Sequence, residues 1–208
     1  MKDEFWIVKD NFTSVEAHTY KQVWQGHYTS EQGENLLRAN FSDASGCDIY
    51  QLNEVKNVEV DGARGKQWSI VNAEKQKDFE FVTVIFPYKG YNNRIDEDPE
   101  QPKLKSWKQD QLFFEVEGGS VKSLSHENED QAYVFGIQKL QFENAELQFS
   151  KTTDIYVRKE DSKIRIQLIG DNSTEINFPK GTSITFKNNI QKKPFVVNPG
   201  DFFELDLK

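Results

Sequence analysis

The stretch DIYVRKEDSKIRIQL, residues 154–168, decides the fold class. Apolar and polar residues alternate along 164–168, and the β-branched residues of 155–157 favour a strand of the same period. Four polar residues, 159–162, separate the two runs, and a loop of this length suits a hairpin. The pattern therefore predicts two antiparallel strands joined by a short turn.

The same strand signals recur along the whole chain. Residues 16–28, 79–86 and 201–207 are expected to form strands, and 112–124 and 174–186 to form hairpins, the first of these across a Gly-Gly pair. The best helical candidate, Glu31 to Asn40, is short and is interrupted by Gly33. We therefore predict an all-β fold, an antiparallel β-sandwich of many short strands with little or no helix.

A single domain is expected to span residues 1–208. One stretch, about 92–110, contains Pro99, Pro102 and runs of acidic and then basic residues, which indicates an exposed irregular loop. Strand-like sequence of the same character flanks this stretch on both sides. We interpret it as a loop within one sandwich, and a boundary between two domains stays open as the alternative.

Composition excludes several classes of protein. There are 26 Lys and Arg against 34 Asp and Glu, so the net charge is −8, which argues against a nucleic-acid-binding protein. No apolar run approaches the ~18 residues of a membrane helix, so no membrane insertion is expected. The N-terminus shows no apolar signal segment, and the single cysteine, Cys47, excludes an internal disulfide and is expected to be packed and inert.

Few residues in the sequence suggest catalysis. The three histidines form no metalloprotease, zinc-finger or hydrolase motif. His18 and His27 lie near the two ends of the strand predicted at 16–28, where they point to opposite faces about 30 Å apart. They cannot share a metal ion in a regular strand. His126 belongs to an acidic turn and is expected to be solvated.

The aromatic residues allow two interpretations, core packing or sugar stacking. Trp6, Trp24 and Trp68 lie in predicted strands, which favours the core. Surface candidates for stacking on sugars are the loop residues Tyr88, Tyr91 and Trp107. Nearby cations, including Arg64, are candidates for contacts with anionic sugars.

Four segments, taken in order, resemble a known family: FWIVKDNF (5–12), HTYKQVWQGH (18–27), GKQWSIV (65–71) and FVTVIFPYKG (81–90). Together they are similar to the C-terminal β-sandwich half of heparinase II/III-like polysaccharide lyases, which include related alginate lyases. The resemblance covers about residues 4–90. Beyond them, the chain is similar to this family only in its succession of strands.

This resemblance implies a part in the β-elimination of acidic polysaccharides. In such enzymes a base removes the proton next to the uronate carboxyl group. Most of the catalytic residues belong to a separate helical domain, and the β half completes the glycan cleft. The resemblance thus implies an acidic polysaccharide and a helical catalytic domain of the parent protein as partners, and a periplasmic or extracellular location.

The same resemblance implies roles for individual residues. The family has a histidine after the tryptophan that matches Trp24, but this chain has Gln25, which cannot take up a proton. Gln25 and Trp24 are expected to line the glycan cleft with Tyr88, Tyr91 and Arg64. His18 is the candidate catalytic residue of this segment, and His27 matches a zinc ligand, so zinc is the cofactor that the resemblance implies.

Three functions remain open from the sequence. The first is the β half of a polysaccharide lyase, inactive without its helical domain. The second is a non-catalytic carbohydrate-binding module, and the third is a structural β-domain of a cell-surface or secreted protein.

Overall fold

A computed structural model describes residues 5–25, 30–31, 36–40, 45–53, 57–61, 67–71, 75–89, 107–109, 111–126, 130–143 and 145–206. These residues contain nineteen strands and no helix, and every strand pair is antiparallel. The predicted all-β sandwich is therefore confirmed. In this part of the chain, no helix exists that is long and apolar enough to cross a membrane.

The chain divides into two compact units, Met1–Leu104 and Lys105–Lys208. The division falls within the stretch 92–110, where we predicted a loop and where the structure also has a short strand at Trp107–Lys108. Compactness alone does not show that each unit folds independently. The expectation of one domain over 1–208 stays a prediction.

Unit 1 consists of two sheets. The five-stranded sheet has the order β1 (Trp6–His18), β8 (Gln76–Lys89), β5 (Ser45–Gln51), β4 (Leu36–Asn40) and β3 (Ser30–Glu31). The three-stranded sheet has the order β2 (Lys21–Gln25), β7 (Gln67–Val71) and β6 (Asn57–Asp61).

The predicted strand 16–28 is wrong in its bounds. Strand β1 continues through His18, and a separate strand, β2, begins at Lys21 in the other sheet. Thr19 and Tyr20 connect the two. The chain has to leave one sheet to reach the other, so His18 and the residues of β2 belong to different strands.

Aromatic packing joins the two sheets of unit 1. Phe81 is fully buried between Leu37 and Ile49, and the side chains of Tyr20 and Trp24 pack against this cluster. The Tyr20 ring lies 5.1 Å from the ring of Phe12, between centroids, and its hydroxyl donates a hydrogen bond to the carbonyl of Lys77 at 2.7 Å. The burial of these rings removes apolar area from water and thereby stabilises the sandwich.

Unit 2 forms one sheet of eleven strands around a larger core. Its main path runs β17 (Asn189–Gln191), β16 (Ile184–Phe186), β19 (Phe202–Asp206), β14 (Lys163–Leu168), β13 (Ala145–Glu160), β12 (Gln131–Phe142), β11 (Lys122–His126) and β9 (Trp107–Lys108). Off this path, β10 (Glu115–Glu117) pairs with β12, and β15 (Thr174–Asn177) pairs with β13 and β18 (Phe195–Val197).

The two long strands β12 and β13 have different neighbours at their two ends. One end of β12 pairs with β11 and the other with β10, and β13 likewise pairs with β14 at one end and with β15 at the other. The register between β12 and β13 shifts around Ile137, next to Gly136, whose φ is +77°. The amide of Gly136 donates to Oδ1 of the buried Asp154 at 3.0 Å. This bulge therefore bends the sheet where its pairing changes.

The predicted hairpins have different outcomes. The hairpin of β13 and β14 forms as expected, but its turn is shorter than predicted, because Lys159 and Glu160 pair with Ile164 and Lys163 and only residues 161–162 lie between the strands. The hairpin at 112–124 is wrong, because β10 and β11 pair with β12 and not with each other. Gly118 passes so close to the carbonyl of Gly136 that a Cβ there would collide with the oxygen. The hairpin at 174–186 is also wrong, since β15 and β16 pair with other strands.

Two cations surround the Glu204 carboxylate on the β14–β19 surface. Lys163 Nζ lies 3.1 Å from one carboxylate oxygen, and Arg165 Nη2 lies 3.0 Å from the other. The hydrogen bond from Lys163 and then that from Arg165 lower the pKa of Glu204. The ionised form is thus favoured in the folded state, so the pair stabilises the fold above the unfolded-state pKa of about 4.3.

We expect Glu204→Gln to lower the free energy of unfolding by about 1 kcal/mol or less near neutral pH. The difference from the native chain should shrink as the pH falls from about 4.3 through the lower folded-state pKa, because the unfolded chain takes up the proton first and the folded carboxylate becomes protonated below that. Urea unfolding at a series of pH values measures this difference, with the exposed Glu175→Gln as the control. A difference that grows on acidification would contradict the assignment.

Candidate functional site

The four segments that carry the family resemblance become four strands of unit 1. Segments 5–12 and 81–90 lie largely in β1 and β8, which pair with each other from Trp6 opposite Ile85 onward. Segments 18–27 and 65–71 contain β2 and β7, which pair with Trp24 opposite Trp68. The resembling segments are therefore two antiparallel pairs, one in each sheet.

A buried polar network centred on Gln22 joins these two pairs. The Gln22 amide nitrogen donates to Asp10 Oδ2 at 2.6 Å. Its Oε1 accepts hydrogen bonds from Trp24 Nε1 at 3.0 Å, from Thr83 Oγ1 at 2.9 Å and from Gln51 Nε2 at 3.1 Å. Gln51 and Thr83 are fully buried. Each polar group gains a partner inside the protein, so the network fixes the position of β2 on the five-stranded sheet.

Asn53 extends the network along β8. Its side-chain amide donates to the carbonyl of Glu80 at 2.5 Å and accepts from the amide of Val82 at 2.8 Å. Its own backbone amide donates to Oε1 of Gln51 at 3.4 Å. These bonds hold Gln51 and Thr83 in place for Gln22.

Asp10 is the ionisable group of the network. Its carboxylate is half-buried, and among the described residues only Gln22 donates to it. Oδ1 accepts no hydrogen bond from another described residue. The alternation of β1 places Asp10 on the same face as Trp6, whose side chain is 59% exposed. This face presents an aromatic ring and a hydrogen-bond acceptor about 13 Å apart.

Two tryptophans have the opposite exposure from the one that the sequence predicted. Trp6, interpreted as core, is exposed, whereas Trp107, interpreted as a surface platform, is only 5% exposed. The ring of Trp107 packs edge-on against His126 at 5.1 Å and tilted against Tyr133 at 5.7 Å. His126 is accordingly half-buried in β11 and not solvated in a turn. The exposure of a strand residue depends on whether it lies at an end or an edge of the sheet, which the sequence does not show.

The structure places three of the predicted site residues in or beside β2. Trp24 is half-buried, and its indole nitrogen is bound to Gln22, so its role includes packing. Gln25 is exposed at the end of β2. His18 is exposed at the end of β1, where its ring meets the edge of the Tyr20 ring at 6.3 Å.

The other predicted site residues are largely outside the described part of the chain. Tyr91, Arg64 and His27 are outside it, and Tyr88 is described only by its backbone, opposite Gly46 in the β5–β8 pair. Of the residues that the family resemblance assigns to the cleft or to catalysis, the structure therefore describes the side chains of Trp24, Gln25 and His18.

The described residues offer no set of metal ligands. Within them, no three His, Cys, Asp or Glu side chains lie close enough to hold a metal ion. The predicted ligand His27 is outside these residues. Burial, and secondarily the charge of Asp48, raise the pKa of the Cys47 thiol, which disfavours the reactive thiolate.

Sequence reasoning missed Asp10, Gln51 and Thr83. The one available signal was the alternation that put Gln22 on the face of Tyr20 and Trp24, which indicates a polar side chain directed into the sandwich. A buried glutamine needs partners. The identity of those partners depends on the pairing of strands far apart in the sequence.

Comparisons with models of protein families, with curated proteins and with solved structures find no match for this chain.

Proposed function

We propose that this chain is the β-sandwich half of a heparinase II/III-like lyase, which forms part of a cleft for an acidic polysaccharide. The observation that carries the proposal is the pairing of the four resembling segments, β1 with β8 and β2 with β7. The Gln22 network joins the two pairs. The order and spacing of these segments thus correspond to one packed structural element, which supports a shared architecture.

Among the described residues, Trp6 and Asp10 are the side chains proposed to contact a glycan. The apolar face of a sugar ring packs on an exposed indole, and a sugar hydroxyl can donate to Oδ1 of Asp10. Arg64, Tyr88 and Tyr91 remain predicted contacts, with Arg64 as the partner of a uronate carboxylate. Such a surface binds a chain of sugars without itself supplying a reacting group.

A separate helical domain supplies the chemistry in this proposal. Gln25 cannot act as a base, because an amide does not take up a proton at ordinary pH. The His18 ring is directed at the edge of Tyr20 on an exposed strand end. β-Elimination needs a base positioned at the proton next to the uronate carboxyl group.

We expect the purified chain to release no unsaturated uronate from heparan sulfate, chondroitin sulfate or alginate. The ultraviolet absorbance of the unsaturated product, followed over hours, measures this release. A buffer blank and a known lyase are the controls. Product formation that His18→Ala abolishes would show that the isolated chain is an enzyme and would contradict the proposed division of labour.

The exposed Trp6 favours a second candidate, a self-sufficient carbohydrate-binding module. Such a module binds its glycan without a helical domain, by stacking on exposed aromatic rings. The two candidates differ in whether the isolated chain binds tightly, which calorimetry measures directly.

A further inference from the structure

Unit 2 contains a groove that the proposed function does not use. It is an open cavity of about 400 Å³ between the segment that leads into β10 and the end of β12. Its lining consists of Leu112, Phe113, Phe114, Glu115, Gln141, Phe142 and Glu143. These residues come from two parts of the chain almost thirty positions apart, which β10–β12 pairing brings together, with Glu115 opposite Gln141.

The floor of the groove is aromatic. Phe114 and Phe142 are buried in the core of unit 2, with their ring centroids 5.3 Å apart. The half-buried Phe113 stands perpendicular to Phe114, with the ring centroids 4.7 Å apart. An apolar stem that enters the groove therefore meets fixed aromatic surfaces.

The rim of the groove is acidic. Glu115 and Glu143 are exposed, and within the described residues neither carboxylate has a cationic partner. The neighbouring cation, Lys139, is held by Glu117 at 3.3 Å and by Glu146 at 3.0 Å. Among the described residues, no Lys, Arg or His lines the groove, so no described cation compensates its two negative charges.

This chemistry selects for one class of ligand. A uronate or sulfate group is repelled by two carboxylates, so the groove does not suit the acidic glycan proposed for unit 1. An ammonium or guanidinium group is attracted both by the carboxylates and by the faces of the aromatic rings. The net charge of the whole chain, −8, adds long-range attraction for a basic partner.

We propose that this groove binds a basic side chain, lysine or arginine, of a protein partner. The aliphatic stem lies against Phe113, and the charged head lies between Glu115 and Glu143. This site is independent of the glycan-binding function proposed above.

The test is an NMR titration of the ¹⁵N-labelled chain with butylguanidinium, which reproduces the arginine side chain. We expect saturable shifts, in the millimolar range, of the backbone amide signals of residues 113–115 and 141–143. N-butylurea has the same shape without the charge and should shift these signals at least tenfold more weakly. The double variant Glu115→Gln, Glu143→Gln should lower the affinity for butylguanidinium by about tenfold or more.

Control variants make each outcome decisive. Glu175→Gln removes one exposed carboxylate of unit 2 outside the groove and should leave the affinity unchanged. Phe113→Ala should weaken binding while the rest of the spectrum stays dispersed. Equal shifts with butylurea, shifts with methyl glucoside but not with butylguanidinium, or no shifts at these residues would each overturn the proposal.

Discussion

Replacement of Gly136 by alanine is expected to destabilise unit 2 by about 3–5 kcal/mol. The φ of +77° is in the left-handed region, where an alanine costs about 1–2 kcal/mol. In addition, a Cβ at this position would lie 2.5 Å from the backbone carbonyl oxygen of Ser120. A backbone atom cannot turn away as a flexible side chain does, so the segment that precedes β11 would have to move away from β12.

Two other glycines separate the contributions of strain and clash. Gly200 has a similar φ of +82° but open space around it, so Gly200→Ala should cost only about 1–2 kcal/mol. Gly119 has open space and no positive φ, and Gly119→Ala should change the stability by less than about 0.5 kcal/mol. Urea unfolding curves of the three variants give these values. Equal losses for Gly136→Ala and Gly200→Ala would show that the close approach is not a constraint.

Gln22→Leu is the second change with a large expected effect, about 2–4 kcal/mol of the free energy of unfolding. Leucine is similar in size to glutamine but removes the partner of Asp10, Trp24, Thr83 and Gln51 at once. Gln51 and Thr83 are fully buried, so water cannot replace the lost hydrogen bonds without a rearrangement.

Gln25→Leu is the matched control, because it makes the same substitution at an exposed position of the same strand. We expect it to change the stability by less than about 0.5 kcal/mol. A double-mutant cycle with Thr83→Val should show coupling between Gln22 and Thr83, since their side chains share a hydrogen bond of 2.9 Å. Equal stabilities of the two leucine variants would mean that the network does not hold β2 in place.

The sequence predicted the local structure better than the strand pairing. The hairpin of β13 and β14 forms as expected, with a turn at 161–162, because adjacent runs in the sequence needed only a short connection. The glycine pair at 118–119 also indicated a hairpin turn between β10 and β11. These two strands pair instead with the two ends of β12, and the glycines connect one end to the other. A period of two residues shows which faces are apolar, and it does not show which strand lies alongside.

In the candidate sites, too, the sequence predicted the local arrangement but not the contacts between distant strands. The alternation along residues 20–24 was sufficient to place Tyr20, Gln22 and Trp24 together on one face. The partners of Gln22 come from β1, β8 and the end of β5, up to 61 positions away in the sequence. The groove of unit 2 likewise combines residues near 113 with residues near 142. Sequence periodicity cannot identify such sites, because they exist only after non-local strands pair.

The most direct test of the central claim is isothermal titration calorimetry of the chain against heparan sulfate, chondroitin sulfate, alginate and a neutral glucan, at low and at moderate salt. The account predicts binding to one acidic glycan that weakens as the salt rises, and that Trp6→Ala reduces. Asp10→Asn should reduce it less, because the amide oxygen still accepts a hydrogen bond. Binding to the neutral glucan alone, or acidic-glycan binding that neither salt nor Trp6→Ala affects, would contradict the assignment of an acidic-polysaccharide cleft to unit 1.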